Sequence, residues 1–269
     1  MLFKSKSSCI SLSAGAMAVV AGLVGGYSGG SARANVIYQD TFYRSGNPQT
    51  LLGSVPTTDN GPVPGSDSWG GYTNLGQYWT TSGTSPATGV LTMSTNSGGG
   101  YLNASLPLNN IAAPMILSAT MAITTSSSQC DLGFESTNGS TSPIWNQAGG
   151  VDPWMALGTG SVLFFEGGTE IASVSSSSGT PVAIAIEIAP VVGGTTVTFF
   201  VNSVNKGSYN TNTALLLNYV ALVQETSLSS NMNATVQNLE LQTVPEPATL
   251  GLMAAGGLGM LVIKRLRTA

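Results

Sequence analysis

Short runs of β-forming residues, separated by clusters rich in glycine, serine, threonine and asparagine, place the strongest constraint on the fold. Eleven runs qualify: 36–42, 90–93, 101–106, 116–123, 130–135, 162–166, 170–174, 182–188, 196–201, 219–224 and 234–241. The runs around Gly167-Gly168 and around Gly193-Gly194 predict two hairpins. No stretch between the runs repeats apolar residues at helical spacing, which argues against a parallel sheet covered by helices. The sequence therefore predicts an all-β fold, an antiparallel β-sandwich of two packed sheets.

The chain contains no histidine, and this removes several classes of enzyme. A Ser-His-Asp triad, an HExxH zinc site and a histidine general base all need an imidazole. Glycosidases need two carboxylates instead, and the nearest pairs are Glu166 with Glu170 and Asp131 with Glu135. Charges on solvated strand faces are the better account of both pairs. No catalytic residue and no metal ligand set is predicted.

Positive charge is concentrated at the two ends of the chain. Between residues 35 and 243, Arg44 and Lys206 are the only cations, whereas eleven of the twelve acidic residues lie there. Binding to phosphates requires clustered lysine and arginine, so no nucleic-acid partner is predicted. Cys130, in a predicted strand, is expected to be a small buried hydrophobic residue.

The N-terminus has the three parts of an export signal. Lys4 and Lys6 precede an apolar run at 12–24, and small residues at Ala32 and Ala34 follow it. A helix of this length reaches about 20 Å, short of the roughly 30 Å hydrocarbon core of a bilayer. The sequence predicts a signal peptide at 1–34, cleaved by signal peptidase after Ala34. An uncleaved membrane anchor is the alternative.

The C-terminus has a second three-part pattern. The motif Val244-Pro245-Glu246-Pro247 is followed by an apolar run at 248–263 and by the basic residues Lys264, Arg265 and Arg267. The pattern predicts a short transmembrane helix over 248–263, with the basic stop held on the cytoplasmic side. A single-pass anchor that is never processed and a GPI signal are the alternatives.

These C-terminal parts, in this order, resemble the PEP-CTERM sorting signals of Gram-negative bacteria, which are also described as an ice-binding protein C-terminal domain. The resemblance covers residues 244–268. It implies that an exosortase in the inner membrane recognises the tail and cleaves near Pro245-Glu246-Pro247. It also implies that domain 35–243 passes through an inner-membrane-anchored intermediate to the cell surface or the extracellular space. Such tails accompany extracellular polysaccharide production, which implies a biofilm or envelope role.

The middle of the chain resembles the concanavalin A-like (laminin G-like) jelly-roll sandwiches. The likeness rests on the opening segment 39–46, the Trp69-Gly-Gly sequence, the segment 197–209 and the closing pair 219–224 and 236–241. It implies a jelly-roll ectodomain over most of residues 36–242. Another β-sandwich and a β-helix remain open alternatives.

Two kinds of ligand are considered for this domain. Sugar binding would use aromatic side chains beside amides, and the segment from 69 to 79 is the richest candidate, with Trp69, Tyr72, Tyr78 and Trp79. A second candidate is the group of Trp145, Asn146 and Trp154. Buried aromatic residues of a sandwich account for the same pattern.

Calcium would use the oxygens of Asp40, Asp59, Asn60 and Asp67 in the early loops. Side chains that cap loops are the alternative explanation of these residues, and no cofactor is otherwise expected.

The sequence thus favours an exported, non-catalytic sandwich with a structural or adhesive role. A lectin-like module that binds polysaccharide through residues 69–79 is the alternative. A glycoside hydrolase is the third hypothesis.

Overall fold

The structure is a computed structural model that describes residues 34–45, 49–73, 78–83, 85–86, 89–94, 100–108, 114–123, 128–136, 152–212, 214–215, 217–226 and 234–244. The secondary-structure elements within these residues are all β-strands. In chain order they are β1 Val36–Asp40, β2 Gln49–Thr50, β3 Thr58–Asp59, β4 Gly70–Thr73, β5 Tyr78–Ser82, β6 Val90–Ser94, β7 Gly100–Pro107, β8 Met115–Ile123, β9 Ser128–Glu135, β10 Pro153–Gly158, β11 Ser161–Glu166, β12 Thr169–Ser175, β13 Val182–Val191, β14 Gly194–Val201, β15 Val204–Thr211, β16 Tyr219–Thr226 and β17 Ala234–Thr243.

The larger sheet has ten strands among the described residues. Its main order is β15-β14-β13-β8-β17-β6-β5-β2, and β1 pairs with both β17 and β3. Strand β17 lies in the middle, with β8 along one side and β6 and β1 along the other. The last strand of the domain therefore joins the two parts of this sheet.

The smaller sheet has seven described strands in the order β12-β11-β10-β9-β16-β7-β4. Every pairing in both sheets is antiparallel. The prediction of an all-β fold built from two antiparallel sheets is confirmed.

One hydrophobic core fills the space between the sheets. Strands β8 and β14 alternate buried and half-buried residues along their whole length, because successive side chains of a strand point to opposite faces. Leu117 and Ile186 of the larger sheet and Leu132 of the smaller sheet belong to the same buried cluster. Removal of this apolar surface from water is the main force that holds the sheets together.

A stack of aromatic rings links the sheets near one edge. The rings of Phe164 and Phe199, one from each sheet, lie 5.3 Å apart between centroids and are nearly parallel. The ring of Tyr209, on edge strand β15, lies 6.0 Å from that of Phe199. Burial, with a smaller contribution from nearby Glu166, raises the pKa of the Tyr209 phenol well above its usual range. The stack therefore fixes an edge strand to the core.

Each of the eleven predicted runs coincides with a strand, and both predicted hairpins are present. Strands β13 and β14 pair up to Val191 and Gly194, and β11 and β12 pair up to Glu166 and Thr169. The strands that the sequence did not predict are β2, β3, β4, β5, β10 and β15. Of these, β15 is largely exposed and β10 is buried on both faces, so neither shows a simple alternation of apolar and polar residues.

Candidate functional site

The two ends of the described domain meet beside each other. The amide N–H of Asn35 donates to Thr243 Oγ1 over 3.0 Å, and the amide N–H of Thr243 donates to the Asn35 carbonyl over 2.9 Å. The next amide, that of Val244, donates to the carbonyl of Pro114 over 2.8 Å. The regular strand pairing thus runs from Val36 to Thr243, and the sorting motif begins directly after it.

Several predictions for the two ends fall outside the described residues. These are the signal peptide up to residue 33 with Ala32, the motif residues Pro245, Glu246 and Pro247, the apolar run 248–263, and the basic residues Lys264, Arg265 and Arg267. Ala34 is described and exposed. In the described part of the chain, no helix has the length and apolar character needed to span a membrane.

The candidate glycan residues do not form one loop. Strand β4 at 70–73 belongs to the smaller sheet, and β5 at 78–82 belongs to the larger sheet. Tyr72 pairs in register with Asn103, and Trp79 pairs with Met93. The side chains of Tyr72, Tyr78 and Trp79 lie outside the described part of the structure.

Trp69 is a core residue. Its side chain is 1% exposed, and its indole N–H donates to Asp40 Oδ2 over 2.9 Å. A ring in this position cannot stack on a sugar at the surface. The structure therefore corrects the sequence interpretation for Trp69 and supports the alternative, a buried aromatic of the sandwich.

Asp40 is the centre of a buried polar network. Its carboxylate accepts two hydrogen bonds from the Arg44 guanidinium, over 2.9 and 2.8 Å, and its side chain has no exposed area. The same carboxylate accepts the amide N–H of Phe42 over 2.7 Å, which fixes a residue with a positive φ of 55°. The donors from Phe42, Arg44 and Trp69 hold the chain where it leaves β1.

The other candidate calcium ligands also bind protein donors. Asp59 accepts the amides of Gly61 and Asp67, each over 3.0 Å. Asp67 accepts the hydroxyl of Tyr38 over 2.9 Å and the amide of Val63 over 3.0 Å. Burial, reinforced by Asp67, raises the pKa of the Tyr38 phenol well above its usual range. In the described residues no group of three or more acidic or thiol side chains could hold a metal ion, and these carboxylates cap loops.

The outer face of the smaller sheet carries polar side chains that are fully buried. Asn103, Asp131 and Glu135 have no exposed area. They lie on β7 and β9, on either side of β16, and the side-chain amide of Asn103 donates to Glu135 Oε1 over 3.1 Å. No strand of this sheet contains lysine or arginine. The expectation that Asp131 and Glu135 are solvated charges is wrong, because both are buried.

A small apolar cluster covers the neighbouring part of the same face. The rings of Trp154 and Phe165 are stacked with centroids 3.7 Å apart, and the Trp154 indole N–H donates to the Gly167 carbonyl over 2.6 Å. Ala221 and Val223 of β16 belong to this cluster. Trp154 is 2% exposed, so the structure does not present it as an open sugar platform. Trp145 and Asn146 lie outside the described residues.

A further carboxylate lies at one end of this sheet. Asp152 is 3% exposed and accepts both the amide and the hydroxyl of Ser136, each over 3.0 Å. Burial raises the pKa of Asp152, and the two bonds from Ser136 oppose the shift. The sequence analysis did not select Asp152 or Asn103, because nothing in their flanking residues distinguishes them from loop and strand residues at the surface.

The remaining acidic pair is divided between two faces. Glu170 is opposite Phe165, on the outer face, whereas Glu166 follows Phe165 and interacts with Tyr209 on the core side. This arrangement separates the two carboxylates. Cys130 is fully buried as predicted, and burial, with Asp131 beside it, raises the pKa of its thiol.

Residues 243–266 match a family model described as the PEP-CTERM protein-sorting motif. The resemblance stated for the tail is confirmed, and the motif indicates a secreted, exosortase-processed surface protein. No curated protein is significantly similar to the chain.

Solved structures similar to the chain include lectin domains and part of a sialidase. The sialidase match has a TM-score of 0.47 and 8% identity, and covers 65% of this chain but 17% of the sialidase. Lectin II from Ulex europaeus gives 0.42 and 11%, covering 68% of this chain and 95% of the lectin. The Emp47p carbohydrate recognition domain gives 0.44 and 9%, covering 79% and 98%. All three TM-scores are below 0.5, and the fold assignment stands on the strand pairing described above.

Proposed function

We propose that residues 35–243 form a non-catalytic surface domain with a structural or adhesive role. In this proposal signal peptidase removes residues 1–34, and the run 248–263 holds the exported chain in the inner membrane with its basic end in the cytoplasm. An exosortase then cleaves near Pro245-Glu246-Pro247 and passes the domain to the cell surface or the extracellular polysaccharide.

The meeting of the two chain ends at β1 and β17 carries this proposal. Asn35 and Thr243 hydrogen-bond to each other, and no strand extends beyond Val36 or Thr243 among the described residues. Cleavage after Ala34 and near Pro245 would therefore leave every described strand pairing intact. Ends that lie at the surface beyond the last strands are where a domain is most easily cut from its flanking segments without loss of its fold.

The positions of the acidic residues favour a domain without catalytic activity. Asp131 and Glu135 are fully buried, so they do not line an open cleft in which a polysaccharide could lie. A glycosidase needs its two carboxyl groups on either side of the bound substrate. Glu166 and Glu170 lie on opposite faces of their hairpin. Neither pair has the arrangement expected of an acid and a base across a cleft.

Removal of the motif is expected to stop maturation. In the natural host, the wild-type protein should be recovered outside the cell as a species that begins at Asn35 and ends near Pro245. The triple variant Pro245→Ala, Glu246→Ala, Pro247→Ala should remain in the inner-membrane fraction with an intact C-terminus, because the exosortase no longer recognises it. Intact-mass measurement of the fractionated protein distinguishes the two forms.

Glu170→Ala is the matched control, since it removes an exposed acid from the surface of the domain and should mature normally. An intact C-terminus on wild-type protein in the membrane fraction would contradict the proposal and would make the chain a single-pass anchored protein.

A second function, binding of polysaccharide, is favoured by the polar side chains on the outer face of the smaller sheet. A carboxylate and an amide beside stacked aromatic rings are groups that bind sugars. Strand β4 pairs with β7 at the edge of this sheet. Because Asp131 and Asn103 are buried, this function requires the face to open to the ligand, and we therefore place it second.

Asp131→Asn is the variant that tests polysaccharide binding. If the face binds sugar, the variant should weaken binding on a glycan array by about 10- to 100-fold, since a hydrogen bond to a charged group is lost. Glu170→Gln, an exposed acid at the edge of the same sheet, should bind normally. Equal binding by both variants, or no glycan bound by the wild type, would exclude this function. Release of reducing ends from a bound polysaccharide would contradict the proposal of a non-catalytic domain.

A further inference from the structure

The hairpin between β13 and β14 ends in two exposed valines. Val191 is 50% exposed and Val192 is 107% exposed, so the tip of the turn is an apolar surface in water. Turns of this kind are usually formed by glycine and polar residues. The hairpin between β14 and β15 follows that rule, with Asn202 and Ser203 at its turn.

The geometry of the turn explains its glycines but not its valines. Gly193 has a φ of 84°, a conformation that favours glycine. A Cβ atom at Gly194 would overlap the carbonyl oxygen of Thr211 on β15, so this position also needs glycine. Val192 has neither constraint, and a polar residue would fit the same backbone. The fold therefore permits an apolar side chain at this position but does not require one.

The hairpin tip lies at the end of the sheet from which the sorting tail leaves. Strands β13 and β17 are both antiparallel to β8, so they run in the same direction. Ile188 and Thr243 both pair with Met115, and they therefore lie in one row across the sheet. Val192 is four residues beyond Ile188, which places it about 13 Å beyond that row.

Only a short stretch of sequence separates Thr243 from the predicted apolar run. Four residues, Val244 to Pro247, precede the apolar run at 248–263. Four extended residues span at most about 14 Å. The hairpin tip and the start of the apolar run can therefore lie at the same level, on the same side of the domain.

We propose that the Val191–Val192 tip contacts the lipid surface of the membrane while the tail anchors the chain. This inference rests on the proposed function, because it requires the run 248–263 to be held in the bilayer. Residues 188–205 contain no charged side chain, so no charge on this hairpin would lose its hydration on approach to the membrane. The contact fixes the orientation of the domain above the membrane and so the position of the Pro245–Pro247 segment presented for cleavage.

The contact between the Val191–Val192 tip and the membrane lasts only while the tail anchors the chain. Two valine side chains bury little apolar surface and give weak affinity for a membrane by themselves. A short linker to an anchored helix raises their effective concentration at the surface to the millimolar range, on the order of values for short flexible linkers. After cleavage the tip loses this advantage, and the domain leaves the membrane.

Depth-dependent fluorescence quenching tests the contact directly. In a Cys9→Ser background, in which Cys130 is buried, Val192→Cys is labelled with an environment-sensitive fluorophore. The full-length chain is reconstituted into phosphatidylethanolamine–phosphatidylglycerol vesicles that carry spin-labelled lipid as the quencher. The matched control is Val204→Cys, a valine that is 53% exposed at the opposite end of the same sheet.

The expected result is quenching at position 192, at least twofold stronger than at position 204. Equal quenching at both positions, in chains that float with the vesicles, overturns the inference and leaves the proposed anchoring intact. Chains that do not float with the vesicles overturn both. Quenching at 192 that persists after the tail is proteolytically removed would also contradict the inference, because the tether would then be unnecessary.

Discussion

Replacement of Asp40 by alanine is expected to lower the free energy of unfolding by about 3–5 kcal/mol, because it removes one partner of a buried ion pair. The Arg44 side chain is 13% exposed and would keep its charge in the core without the carboxylate. The Trp69 indole N–H and the Phe42 amide would lose the same acceptor. Chemical denaturation followed by tryptophan fluorescence measures the change in the free energy of unfolding.

Two further variants serve as the control for this prediction and as the partner in a double-mutant cycle. Glu170→Ala removes an exposed acid and should change the free energy of unfolding by no more than about 0.5 kcal/mol. Arg44→Ala, measured alone and with Asp40→Ala, completes a double-mutant cycle, for which we expect a coupling energy of about 0.5–3 kcal/mol. If Asp40→Ala costs no more than Glu170→Ala, the network does not stabilise the domain.

Phe199→Ala is expected to cost a similar amount, about 3–5 kcal/mol, because it creates a cavity between the two sheets. The side chain has no exposed area, and its ring contacts those of Phe164 and Tyr209. Loss of the ring would remove its contact with Phe164 of the smaller sheet and its contact with Tyr209 of edge strand β15. The midpoint of urea unfolding should fall accordingly, with little change in the slope of the transition.

The neighbouring residue supplies the control. Phe200 follows Phe199 on the same strand, points to the opposite face and is half-buried beside Ala185. Phe200→Ala removes the same atoms but leaves no enclosed cavity, so its cost should be about half that of Phe199→Ala or less. Equal losses for the two variants would mean that the ring stack is not a special point of contact between the sheets.

The same pair of phenylalanines illustrates what can be predicted from the sequence. The run 196–201 alternates polar and apolar residues, and the period of a strand alone assigns one ring to the core and one to the outer face. Strands such as β8, β13 and β14 were predicted for this reason, whereas β10, a continuous buried run inside the smaller sheet, was not. Edge strand β15 was not, because most of its residues face water and no apolar pattern remains.

The outer face of the smaller sheet could not be predicted, for a different physical reason. Alternation along β9 correctly places Asp131 and Glu135 opposite Cys130 and Leu132. Whether that opposite face is exposed to solvent or buried depends on parts of the chain far away in sequence, and no local sequence pattern indicates which. The same limitation applies to Trp69. The residues that flank a tryptophan do not reveal whether its ring stacks on a sugar or its indole N–H donates to a buried carboxylate such as that of Asp40.

The central position of β17 has a consequence for the order of events during export. A chain that crosses the membrane from its N-terminus delivers β17 last, immediately ahead of the sorting motif. Until then β8 lacks its partner on one side, and β1 and β6 lack the strand that joins them to the rest of the sheet. Such long-range pairing is slow, and it cannot begin before the final strand has emerged. In the proposed export route, the larger sheet is therefore completed only after the tail has reached the membrane, and the anchored tail holds the chain there while β17 pairs with its neighbours.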